Sequence, residues 1–65
     1  MRIIDLLQVI NEYQAVSFYD SNFDYVVLEK VSPRNEKLIS QYIGFQLMST
    51  DFSIKADNDI IIINF

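Results

Sequence analysis

Asp57-Asn58-Asp59-Ile60-Ile61-Ile62-Ile63-Asn64-Phe65 sets four consecutive isoleucines behind an acidic turn. Branching at Cβ crowds such a run in a helix and suits it to a pleated strand. Side chains alternate along a strand, so Ile60, Ile62 and Asn64 share one face and Ile61, Ile63 and Phe65 the other. Both faces are apolar over most of the run, which is the pattern of a strand covered from two sides. A chain of 65 residues has little material for two covering layers. The sequence therefore predicts a homodimer, with Ile60, Ile61, Ile62, Ile63 and Phe65 as its interface, packed through an uncovered sheet face or by pairing of edge strands.

Composition narrows the means of stabilisation. Sixty-five residues imply one domain, and a domain of that size buries only about 60% of the surface its unfolded chain exposes. Cysteine and histidine are both absent, which removes disulfides and the usual zinc sites. Oligomerisation or an unusually apolar core remains, and a chain that is 51% hydrophobic with nine aromatic residues can build a dense one. The opening Met1-Arg2-Ile3-Ile4-Asp5 does not read as a signal peptide, because Asp5 interrupts it and no small-residue cleavage site follows. No apolar run approaches the roughly 20 residues needed to span a bilayer. A net charge of −4 disfavours direct attraction to nucleic acid or an anionic membrane and is compatible with a basic protein partner.

Toward the N-terminus the hydrophobic period changes. Ile3, Leu6, Leu7 and Ile10 sit at i, i+3, i+4 and i+7, which predicts a helix over residues 2–11. Asp5, Gln8 and Glu12 fall on its outer side, and Ile4 and Val9 widen the apolar stripe. From Gln14 to Asp20 the period is two, with Val16 and Phe18 opposed to Ala15, Ser17 and Tyr19. Asp20-Ser21-Asn22 is a turn by composition, and Tyr25–Val31 reads as a second strand in an antiparallel hairpin. Ser32-Pro33 is a helix-start signal for a short helix that points Leu38, Ile39 and Tyr42 inward and ends near Ser40. Gly44 either terminates that helix in the left-handed conformation or lies in a strand. The alternation of Phe45, Leu47 and Ser49 with Gln46 and Met48 predicts a strand over 43–50. Thr50–Asp59 reads as a strand extension or an apolar-anchored loop. Together these give an α+β fold: a four-stranded, mainly antiparallel sheet with the N-terminal helix on one face and a short second helix in the connection.

Constellations that carry chemistry are few. Asp20, Asn22 and Asp24 match the first three ligand positions of a calcium loop, but Tyr25 stands where the sharp-turn glycine belongs and Val31 where the bidentate glutamate belongs. A solvated turn explains them better. Asp57 and Asp59 are too few for a cation cage and suit a charged turn that guards an aggregation-prone strand. Six serines have no histidine or cysteine to work with, and one glycine makes no phosphate loop. The expectation is no enzyme, no catalytic residue, no metal and no cofactor. Lys30, Arg34 and Lys37 read as members of local surface pairs. The rings matter more, because interfaces are enriched in them. Tyr19, Phe23 and Tyr25, flanked by Asp20 and Asp24, read as an outward partner-binding cluster, with Val26 and Leu28 turned inward.

Met1-Arg2-Ile3-Ile4-Asp5-Leu6-Leu7-Gln8-Val9-Ile10, followed by Val16-Ser17-Phe18-Tyr19-Asp20 and a terminal apolar strand, resembles small early proteins of phages that infect Gram-positive bacteria. That population includes small acidic anti-CRISPR inhibitors, which occupy a nucleic-acid-binding surface of the nuclease. The resemblance implies a non-enzymatic effector in the host bacterial cytoplasm. It would bind and inhibit or modulate a host protein that is itself basic or nucleic-acid-binding. Two rivals stay open: a small structural or assembly module of a phage, and a nucleic-acid mimic, which needs Asp20, Asp24, Asp51, Asp57 and Asp59 on one surface.

Overall fold

The isoleucine run forms an interior strand. A computed structural model describes all 65 residues. In chain order the elements are α1 (Ile3–Val9), β1 (Ala15–Asp20), β2 (Tyr25–Val31), α2 (Glu36–Ile43), a 3₁₀ segment (Gly44–Met48), β3 (Ser53–Asp57) and β4 (Ile60–Asn64). The four strands lie in the order β2-β1-β4-β3. Both outer pairs are antiparallel hairpins, while the central pair is parallel, from Ala15 opposite Ile60 to Tyr19 opposite Asn64. The class is the expected α+β, with a mixed sheet. The parallel pair arises because the chain between β2 and β3 passes through both helical segments and re-enters on the far side of β1.

Helices cover one face. Register places Val16 and Phe18 of β1 level with Ile61 and Ile63 of β4 on that face. Val16, Phe18 and Ile63 form the core with Ile3, Leu7 and Ile10 from the first helix and Ile39, Ile43 and Leu47 from the second helical region. α1 is shorter than the expected 2–11, and Val9, placed at the edge of its stripe, is exposed. Its end is held from outside. The Arg34 guanidinium donates to the carbonyls of Leu7, of Gln8 (3.2 Å) and of Ile10 (2.7 Å). Carbonyls in the last turn have no partner within the helix, and a cation there also meets the negative end of its dipole. Arg34 is therefore a clasp rather than a member of a surface pair with a carboxylate; the ion pair in the structure is Arg2–Asp5.

The second helix starts and stops elsewhere than its sequence signals indicate. Asn35 is the N-cap, and its side chain accepts from the Leu38 N–H at 3.4 Å. Ser32 instead accepts from the Arg34 N–H in a preceding turn, and Pro33 is fully buried there. The helix runs past Ser40 to Ile43, where Gly44 (φ 38°, ψ −115°) ends it. The strand expected over 43–50 is absent, and the 3₁₀ segment stands in its place. Ile39, Ile43 and Leu47 recur every fourth residue and are all buried, so a helical line of core contacts overrides the two-residue alternation. The third strand is β3, the strand alternative for Thr50–Asp59, and every residue in it is exposed.

The other face of the sheet is bare. Ile60 and Ile62 lie on it and are half-buried. Ile63 is fully buried by its own chain, and Ile61 and Phe65 share its face. Of the five residues expected at an interface, Ile60 and Ile62 are the two that lie on the bare face, while Ile61, Ile63 and Phe65 turn to the core side. Ser17 also points to this side yet is buried, because β2 bulges over it. The β1–β2 register slips there, Lys30 takes φ 52°, and its N–H donates to the Ser17 hydroxyl at 3.0 Å.

Arg34→Met removes the clasp while keeping a long apolar stem, and is expected to lower unfolding free energy by about 1–2 kcal/mol. Lys37→Met, an exposed control three residues away, should stay within about 0.5 kcal/mol. Urea denaturation of the two variants side by side measures the difference.

Candidate functional site

The hairpin between β1 and β2 organises one end of the molecule. Asp20 accepts from the N–H groups of Asn22 (2.9 Å) and Phe23 (3.3 Å), so one carboxylate oxygen serves the turn itself. Asp24 follows at φ 56°, a conformation that aspartate tolerates better than most residues. Phe23 and Tyr25 then meet edge to face, with ring centroids 6.5 Å apart and planes at 61°. No three carboxylates converge to hold a metal.

Tyr19 is not with them. A register shift between Phe18 and Tyr19 skips one residue of β2, so Val26 lies opposite Tyr19 and Tyr25 opposite Asp20. Tyr19 and Val26 share the bare face, whereas Tyr25 and Val27 turn toward the helices. This corrects the expected grouping. Phe23, Tyr25, Asp20 and Asp24 stay at the hairpin end, Tyr19 leaves them, and Val26 points outward rather than in.

Two rings join from the helical side. Tyr42 and Phe45 flank Gly44, and with Tyr25, Val27 and Phe65 they line a cleft of about 320 Å³ rimmed by Asp20, Gln41 and Gln46. Gly44 builds this wall, since the positive φ that ends α2 separates the two rings while Ile43 and Leu47 stay buried. Tyr42, expected in the core, is exposed, as is Phe45. The signal that finds them is the Ile39–Ile43–Leu47 line: at 100° per residue Tyr42 falls beside it and Phe45 opposite it.

The floor of the cleft is fixed by main-chain bonds. The Phe65 N–H donates to the Tyr19 carbonyl at 3.0 Å. Ser21 donates to the Phe65 oxygen through its N–H (3.0 Å) and hydroxyl (2.7 Å). The end of β4 is thus tied to the β1–β2 turn. A second, polar concavity of about 420 Å³ lies beyond it, lined by Ser21, Asn22, Asp51, Phe52, Ser53, Asn64 and Phe65.

Charge at this end is acidic. Asp20 is the ionisable carboxylate of the cleft, and neither lysine nor arginine lines it. Asp20, Asp24 and Asp51 belong to this end, while Asp57 and Asp59 sit at the β3–β4 turn by Ala15 and Gln14. The two groups are separated by the length of β1, about 16 Å. Such an arrangement can bury an apolar or aromatic side chain of a partner and place a cation beside Asp20. Comparison with protein-family models, curated proteins and solved structures gives no match.

Away from the cleft, the Arg2 guanidinium and backbone N–H, which bond the Asp5 carboxylate at 2.8–3.1 Å, lower its pKa from 3.8 to about 2. A folded-state pKa below the unfolded one means that the contact stabilises fully above pH 3.8 and fades as pH falls through about 2. Carbon-detected NMR titration should find the Asp5 midpoint near 2, and Arg2→Gln should return it toward 3.8.

Proposed function

We propose that the chain is a non-enzymatic, phage-type effector that binds a host protein through the aromatic cleft. The carrying observation is the exposure of four rings around one end: Phe23 75%, Tyr25 53%, Tyr42 55% and Phe45 84%. Fully burying such a side chain is worth about 1.5–3 kcal/mol, and a domain of this size has a net stability of order 5 kcal/mol. Four rings left in water at one place are an unused resource for folding and a ready one for binding. Asp20 and Asp24 beside them, on a chain of net charge −4, favour a basic partner.

A partner with a basic, nucleic-acid-binding surface would lose that surface when this end docks on it. Inhibition or modulation of a bacterial defence factor in the host cytoplasm, in the manner of an anti-CRISPR protein, follows from that reading and from the resemblance of the opening helix. The nucleic-acid-mimic alternative draws less support, because the aspartates it needs divide between the two ends of the sheet.

Expression of the chain in a strain defended by a CRISPR nuclease should restore plating of a targeted phage. Replacing both Tyr42 and Phe45 by serine should abolish that effect without loss of folding, since each exposed hot-spot ring is worth about 2 kcal/mol of binding, roughly 30-fold in affinity. Plating that is unchanged by the wild-type chain, or restored equally by the double variant, would remove the reading.

A further inference from the structure

We propose that a second copy of this chain covers the bare face of the sheet, related to the first by a two-fold axis parallel to the strands. Here the two central strands are parallel, and on the bare face Tyr19, Ile60 and Ile62 are half-buried while Val26 is 51% exposed.

The pattern of charge identifies the occupant. Ser17 lies opposite Ile62, and Ile62 opposite Lys55. Glu29 borders Ser17 on the same face, where β2 bulges. One row across the sheet therefore reads Glu29, Ser17, Ile62, Lys55, with an anion at one edge, a cation at the other and a neutral middle. Three strand spacings of about 4.8 Å hold these charges roughly 14 Å apart, too far to pair within one chain. A two-fold axis parallel to the strands exchanges the edges. Glu29 then faces Lys55 of the partner subunit, and Lys55 faces Glu29 of the partner subunit. An axis across the strands would set each charge over its own copy and repel. Aligned sheets pack about 10 Å apart at roughly 30°, within reach of a lysine and a glutamate extended from opposite sides. Asp57, opposite Ile60 and two residues along the β3 edge, lines the same face one row away from Lys55.

The area sets the strength. A face of four strands by five residues measures about 19 by 16 Å, short of the roughly 800 Å² per partner of a standard interface. At roughly 300 Å² per partner the contact is well under half of that standard, so the dimer is a weak, concentration-dependent one. Its surface lies on the other side of the sheet from the cleft, so both can be occupied at once.

Sedimentation equilibrium over a concentration series tests the geometry with two exposed positions. Wild type should dimerise. Glu29→Lys and Lys55→Glu should each weaken the homodimer about tenfold or more, because each sets like charges face to face twice. An equimolar mixture of the two variants should dimerise as well as wild type, since each contact then joins Lys to Glu. The chain carrying both substitutions should do the same, which guards against a single variant that folds poorly. A wild-type chain that stays monomeric to about 1 mM, single variants that dimerise unchanged, or a mixture that fails to associate would each overturn the proposal.

Discussion

The parallel pairing of β1 with β4 is the constraint from which the remaining architecture follows. It sets Val16 and Phe18 level with Ile61 and Ile63, and three of these four are buried. Strands that run the same way cannot be joined by a tight turn, so the chain between them must travel. That connection holds β2, α2, the 3₁₀ segment and β3. Its helical part delivers Ile39, Ile43 and Leu47 to the same core as α1. The crossover helices and the N-terminal helix all pack on this one face and form a single covering layer there.

Much of this was legible in the residues, and the failures have particular causes. The hairpin Gln14–Val31 and the helix stripe Ile3, Leu7, Ile10 follow from unambiguous periods, and the structure contains both. Strand direction was not legible, because four isoleucines alternate identically in a parallel and an antiparallel pair. Around Gly44 two periods coincide. Leu47 belongs both to the alternating set Phe45, Leu47, Ser49 and to the four-residue set Ile39, Ile43, Leu47, and packing against α1 selects the second. At the second helix start, Ser32-Pro33 carries the stronger signal in composition, yet Pro33 is consumed in the core and Asn35 caps instead.

The candidate site was half legible for a related reason. Phe23 and Tyr25 are next-but-one neighbours after a turn, so their company follows from local sequence. Tyr19 was grouped with Tyr25 by counting alternation through β1 and β2, and the register shift between Phe18 and Tyr19 turns Tyr25 to the helix side while Tyr19 stays on the bare face. Such a shift moves every later side chain to the other face. Tyr42 and Phe45 could enter the site only once the buried line of the helix was known, since an aromatic residue in a short amphipathic segment reads equally well as core or surface.

The edges of the sheet bear on how this excess of apolar surface can be used. β3 is exposed throughout and carries Lys55 and Asp57, while β2 carries Glu29 and Lys30 and is bent by a bulge at φ 52°. Charges and bulges are the devices that keep edge strands from pairing with other chains. Strand addition, the commonest hazard of a small open sheet, is therefore opposed at both margins, whereas nothing opposes contact over Ile60 and Ile62. Two of these residues, Glu29 on β2 and Lys55 on β3, stand at opposite rims of the bare face with opposite signs. On the proposal of a face-to-face dimer, edges that resist pairing and a face whose rim charges complement those of its copy would direct association to one geometry.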